Sequence, residues 1–134
     1  MNISFIILAG GESKRFKSKT PKPYHLYKGK PLLMHSIDKA KSYKIFKQIV
    51  IVANKNHIKF LKKLKIQNVK IIIGGKTRAE SAYRGLNSLK NLNTKFVMIH
   101  DAARPNFSLK LLIKLKKEIQ FNNCVVPAVQ TADS

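Results

Sequence analysis

The 134-residue chain has no tryptophan, one cysteine and only six acidic residues, and just four of its 27 basic side chains are arginines. Each scarcity excludes something. With Cys124 alone no internal disulfide can form; its apolar surroundings predict a buried structural thiol, consistent with a cytosolic location. The longest apolar runs reach only five to seven residues, too short for a helix to cross a bilayer. Ile3–Leu8 leads straight into a glycine turn with no small-residue cleavage site, so no secretory leader is expected. His25, His35 and His57 show no metal-ligand spacing, and no Ser/His/Asp or Cys/His arrangement suggests a covalent nucleophile. There are no repeats, low-complexity tracts or linkers, and the length suits one domain spanning residues 1–134.

What is abundant is lysine. The formal charge of +21 invites a nucleic-acid reading, but the 23 lysines are dispersed and no run of five like charges occurs. They read as a solvated surface that would attract polyanions without selecting among them, so no specific nucleic-acid partner and no membrane partner is expected. The scarce arginines and acids carry more information.

Apolar runs alternate with helical stretches. Strands are predicted at Ile3–Leu8, Gln48–Ala53, Val69–Ile73, Phe96–His100 and Cys124–Val129, nearly continuous in Ile and Val as strands covered on both faces should be. Pro31 suits a first helical position with Leu33, Ile37 and Ala40 inward, and Asn56 to Leu64 reads as a short helix with Ile58, Leu61 and Leu64 on one side. Ala79, Ala82, Tyr83, Leu86 and Leu89 form a third stripe. Ser108 can cap a fourth helix with Leu109, Leu112, Ile113 and Ile119 inward. The alternation predicts an α/β fold: a parallel sheet between two helical layers, joined by right-handed crossovers. If the strand order is 3-2-1-4, the first and fourth strand ends flank the switch point where ligands bind.

Those two ends carry Ala9-Gly10-Gly11 and His100-Asp101-Ala102-Ala103-Arg104-Pro105. A glycine turn lets backbone N–H groups approach a phosphate, and Lys14, Arg15, Lys17, Lys19 and Lys22 follow to neutralise it. Taken alone, Gly10-Gly11 serves equally well as a strand-to-helix turn, since it fits neither the dinucleotide nor the P-loop pattern. Gly74-Gly75-Lys76-Thr77 mimics a Walker ending, but Lys70 stands where its first glycine should be. A glycine turn opening a helix with Arg78 and Ser81 remains. Asp101 offers a hard oxygen ligand beside the proposed phosphate loop, or is a loop residue paired with Arg104. His100 is expected to be packed within its strand.

Together, LAGGESKRF followed by PKPY resembles the leading loop of sugar-phosphate nucleotidyltransferases, and GGKTRAES with HDAARP narrows the resemblance to the 2-C-methyl-D-erythritol 4-phosphate cytidylyltransferase family. The resemblance implies a Rossmann-like three-layer sandwich with a mainly parallel sheet. It implies transfer of CMP from CTP to a sugar-alcohol phosphate with loss of pyrophosphate, assisted by Mg²⁺. It implies that Arg15 and Lys22 stabilise the pentacoordinate phosphorus, that Ala9, Gly10 and Gly11 line phosphate and ribose, and that Gly75 and Ser81 contact cytidine. Asp101 would bind metal and ribose, and Arg104 would support the substrate region. Ser13 and Pro23 depart from the family's usual glycine and glutamine. The resemblance also implies a dimer arm, an Arg for the sugar phosphate, a substrate-positioning Lys and further strands and helices beyond the stretch matched by Ala132-Asp133-Ser134. Residues 1–134 are thus expected to be a C-terminally truncated, nucleotide-binding half of a homodimeric cytoplasmic enzyme, weak or inactive alone. A ribitol-5-phosphate cytidylyltransferase shares these motifs, and a noncatalytic basic domain binding nucleic acid or polyphosphate is the alternative of another class.

Overall fold

The computed structural model describes residues 2–11 and 20–130. Four strands, β1 (Ile3–Ala9), β2 (Gln48–Ala53), β3 (Lys70–Ile73) and β4 (Phe96–Asp101), form one parallel sheet in the order β3-β2-β1-β4. This is the 3-2-1-4 order expected from the alternation. Between the strands run α1 (Leu32–Tyr43), α2 (Ile58–Lys63) and α3 (Arg78–Ser88), and α4 (Leu109–Ile119) follows β4.

Because side chains alternate along a strand, β1 feeds two cores. Phe5, Ile7 and Ala9 face α1, α2 and α4 through Leu33, Ile37, Ala40, Leu61 and Leu112, while Ile6 and Leu8 face α3 through Leu89 and Ala82. All seven β1 residues are buried, which explains its nearly continuous apolar run; the one polar member, Ser4, shares a hydrogen bond with Thr94 at 2.7 Å. Leu33, Ile37 and Ala40 are inward as their spacing predicts, although Pro31 is the N-cap rather than the first helical residue. The short helix begins later than expected, with a 3₁₀ turn over Lys55–His57 ahead of α2.

Three packing expectations are corrected. Along α3 the buried positions are Ser81, Gly85 and Leu89, whereas Ala79, Tyr83 and Leu86 are exposed. The cause is close approach: a Cβ on Gly85 would lie 3.0 Å from Ile6 Cγ2 and 3.2 Å from Val52 Cγ2, so the helix sits on its smallest residues. On α4, Leu112 is buried but Leu109 and Ile113 are exposed. Finally, Cys124–Val129 forms no strand, and Cys124 is exposed rather than buried. An apolar run becomes a strand only where a neighbour completes its hydrogen bonds; among the described residues β4 pairs with β1 alone, and Pro127 removes one donor from the run.

Candidate active site

Parallel register brings the four strand ends to one edge. Ala9 is level with Ala53, Ala53 with Ile73, and Leu8 with Asp101. The ladders continue one step further: Gly74 N–H donates to the Ala53 carbonyl at 2.8 Å, and Ala102 N–H to the Leu8 carbonyl at 2.9 Å. Gly10, Asn54 and Gly74 therefore stand side by side, with Ala102 level with Ala9 one step below, and Asn54 Nδ2 donates to the Gly10 carbonyl at 3.3 Å. Above them lies a cleft of about 930 Å³.

The cleft gathers most of the residues singled out by sequence: Gly10, Gly11, Lys22, Gly75, Ser81, Asp101 and Arg104 all line it. Ala9 does not, because it is 1% exposed and its side chain belongs to the core beneath. Arg15 and Ser13, with Lys14, Lys17 and Lys19, lie outside the described residues, as does Ala132-Asp133-Ser134.

Each wall has a local cause. Pro21, Pro23 and Tyr24 are buried around the exposed Lys22, so an anchored 3₁₀ turn holds the lysine at the rim. The Tyr24 ring stacks on Phe60 at 5.3 Å, and burial pushes its phenol up to about 12. The Gly74-Gly75 turn is fixed from α3. Thr77 caps that helix by accepting from Glu80 N–H at 3.0 Å, and Ser81 Oγ accepts from Gly75 N–H at 3.1 Å. The Glu80 carboxylate accepts from Lys76 N–H, and Arg84 donates both to the Gly74 carbonyl and to Glu80, each at 3.0 Å. Glycine is required where these groups crowd: a Cβ on Gly74 would meet Ser81 Oγ at 2.5 Å and Val52 Cγ1 at 2.9 Å. Gly11 differs, since a Cβ there meets nothing within 4 Å among the described residues; the space above it belongs to the cleft.

The opposite wall is pinned by α1. Ser36 Oγ donates to the Ala102 carbonyl at 3.4 Å, Lys39 Nζ to Pro105 at 2.8 Å and Tyr43 hydroxyl to Phe107 at 3.2 Å. His100 packs against Phe5 and Phe107, with ring centroids 5.8 and 4.7 Å away, and its Nε2 donates to the Arg104 carbonyl. Burial holds its pKa below the usual histidine range, against opposing contributions from that carbonyl and from Asp101. The neutral ring is thus a strut for the Asp101–Arg104 loop.

Among the described residues Asp101 has two guanidinium neighbours. Arg78 reaches its Oδ1 at 3.1 and 3.3 Å, and Arg104 approaches Oδ2 at 3.8 Å. The expected Arg104 pairing is present, but Arg78 is the closer partner. Arg78, Glu80, Arg84 and Asn54 were not singled out as site residues in the sequence. Arginine scarcity was the usable signal, since two of the chain's four arginines lie on α3 facing the cleft. Among the described residues no group of three His, Cys, Asp or Glu could hold a metal. A hard divalent cation could still be taken by Asp101 with ligand phosphates and water completing the shell, which is how Mg²⁺ is commonly held.

An open parallel sheet with a cation-rich cleft at its switch point defines an α/β domain of the Rossmann-like class. The chain belongs to the 2-C-methyl-D-erythritol 4-phosphate cytidylyltransferase family, whose model matches residues 3–134. It is 68% identical over 134 residues to the bifunctional enzyme IspD/IspF of Pelagibacter ubique, covering all of this chain and 36% of that enzyme. The bifunctional IspDF structure from Campylobacter jejuni superimposes with a TM-score of 0.84 at 33% identity, over 99% of this chain and 34% of that one. The 4-diphosphocytidyl-2C-methyl-D-erythritol synthase of Anaerococcus prevotii gives 0.74 at 28% identity, over 90% of this chain and 52% of that one. The chain therefore spans about a third of the bifunctional relatives and half of the shorter one.

Proposed function

We propose that this chain is the nucleotide-binding portion of a cytidylyltransferase that transfers CMP from CTP to 2-C-methyl-D-erythritol 4-phosphate, releasing pyrophosphate, in isoprenoid precursor synthesis. The observation that carries the reading is the convergence, in one cleft of a family member, of Gly10-Gly11, Gly75, Ser81, Lys22 and Asp101.

In this reaction an oxygen of the acceptor phosphate attacks the α-phosphorus, and the bond to the bridging α–β oxygen breaks as pyrophosphate leaves. Catalysis then rests on positioning and on charge stabilisation at phosphorus. The space above Gly11, which no other described residue fills, suits a phosphate approaching the backbone, and Lys22 at the rim suits the charge that develops on the phosphoryl oxygens. Arg15 is assigned the same role from its motif. The fixed Gly74-Gly75 turn and Ser81 suit recognition of cytidine, and Arg104 suits the acceptor side. Asp101 would hold Mg²⁺, which when bound supplies neutralisation of the triphosphate. The acceptor site and the homodimer belong to the longer protein. The single, unpaired Cys124 suits a cytoplasmic setting, and among the described residues no helix is long and apolar enough to cross a membrane.

CTP with Mg²⁺ should raise the thermal midpoint of the chain, ATP should do so much less, and Asp101→Asn should abolish the rise. An equal response to any polyanion, heparin included, would overturn the assignment in favour of nonspecific charge.

A further inference from the structure

Among the described residues Asp101 carries the only carboxylate on its wall of the cleft, and it is already engaged. Arg78 places two N–H groups on Oδ1 at 3.1 and 3.3 Å, while Arg104 stands off Oδ2 at 3.8 Å. Arg78 comes from the first turn of α3, 23 residues away and across the cleft from Asp101. Its side chain is 66% exposed and that of Asp101 is 35% exposed, so this is a solvent-facing pair that can open at small expense. A divalent cation on Asp101 must displace Arg78 or sit beside its charge. The guanidinium has somewhere to go, since Arg78 lines the same cleft as Gly10, Gly11 and Gly75. A triphosphate bound there would present anionic oxygens to it.

We propose that Arg78 is an exchangeable counter-ion, a positioning residue that neutralises Asp101 while the cleft is empty and turns to the triphosphate when a divalent cation takes the carboxylate. The site then disfavours a free cation and favours one arriving with its nucleotide. The proposal rests on the reading of Asp101 as the metal ligand.

Paramagnetic broadening of the Ala102 and Ala103 amide signals by Mn²⁺, in the isotopically labelled 134-residue chain, reports occupancy at Asp101 without any need for turnover. Arg78→Ala should reach half-broadening at about two- to fivefold lower Mn²⁺, the range expected on removing an exposed ion pair. By calorimetry the same variant should bind the Mn²⁺–CTP complex roughly tenfold more weakly, because a charge-assisted contact is lost. These opposite signs would not follow from a merely structural role. Lys76→Ala, which removes a nearby cleft cation that does not touch Asp101, should leave the Mn²⁺ midpoint unchanged. Unaltered Mn²⁺ binding in Arg78→Ala, unaltered Mn²⁺–CTP binding, or an equal effect of Lys76→Ala would each overturn the proposal. Asp101→Asn separates the two readings. Broadening that persists in Asp101→Asn removes the metal assignment and this proposal with it. Broadening lost in Asp101→Asn but unchanged in Arg78→Ala removes the counter-ion role alone.

Discussion

The two glycine pairs at the cleft should respond oppositely to alanine, and the contrast isolates ligand approach from folding. At Gly74 an added Cβ would lie 2.5 Å from Ser81 Oγ and 2.9 Å from Val52 Cγ1. Ser81 can rotate away only by releasing the Gly75 N–H, a loss of about 1 kcal/mol. Val52 is fully buried in the α3-facing core, so it cannot yield without strain of about 1–3 kcal/mol. Against these stands a gain of about 0.4–1 kcal/mol from stiffening the unfolded chain. The net effect of Gly74→Ala is a destabilisation of about 1–3 kcal/mol, lowering the melting temperature by roughly 4–12 °C for a domain of this size. Gly11 has no positive φ, and a Cβ there meets nothing within 4 Å among the described residues. Gly11→Ala should therefore leave stability unchanged or raise it by up to about 1 kcal/mol.

For binding, the prediction runs the other way. If a phosphate seats against the Gly11 backbone, a methyl group there pushes it off one charge-assisted hydrogen bond, a loss of roughly tenfold to a hundredfold in CTP affinity. Urea denaturation and calorimetric titration of the two variants provide the comparison. A Gly11→Ala protein that binds CTP as tightly as the parent would refute the phosphate approach. A Gly74→Ala protein as stable as the parent would refute the packing argument.

Other consequences are as direct. Burial lowers the His100 pKa, so between that lowered value and the unfolded value near 6.5 the unfolded chain binds the extra proton. Stability should fall as pH drops through 6.5 and level off below the native pKa; His100→Phe, measured by denaturant melts across that range, should remove this component. Thr77→Ala leaves the Glu80 N–H without its cap and should cost about 0.5–2 kcal/mol of stability by urea denaturation. Cys124 should react with a thiol reagent at the rate of a free cysteine in the native protein; protection until unfolding would restore the buried reading. Raising salt should abolish heparin binding well before it abolishes the CTP–Mg²⁺ shift, because dispersed surface charges are screened beyond about 8 Å at 0.15 M and about 3 Å at 1 M. Parallel loss of both would point to charge alone.

The sheet was legible because four nearly continuous apolar runs, each separated by a helical stretch, leave few topologies open. The positions of Gly10, Gly75 and Asp101 at strand ends followed from the same alternation. Periodicity failed where size governs contact. Tyr83 and Leu86 share an apolar stripe on paper, yet Gly85 and Ser81 face the sheet, because a helix over Ile6 and Val52 packs most closely on residues with little side chain. It failed again at Cys124–Val129, whose composition suits a strand but whose hydrogen bonds depend on a neighbour that no local pattern can reveal. Arg78 was invisible as a site residue for a related reason. Its partner Asp101 is 23 positions away, and only the shared cleft edge of α3 and β4 brings them together.

The charge of the chain acquires a narrower meaning in this setting. Among the described residues six cationic side chains line the cleft against two carboxylates, and both carboxylates are bound by arginines, Asp101 by Arg78 and Arg104 and Glu80 by Arg84. The surplus of positive charge speeds the arrival of any polyanion and cannot tell one from another. Discrimination must then come from the places where that charge is tied down. Glu80 and Arg84 hold the Gly74-Gly75 turn at a fixed width, which limits what fits against it. Asp101 and Arg78 form an ion pair that only a ligand bringing both a cation and an anion can exchange without leaving a charge unmatched. A metal–triphosphate satisfies that condition and a bare polyanion does not, so the few acidic residues, more than the many lysines, set what this cleft can select.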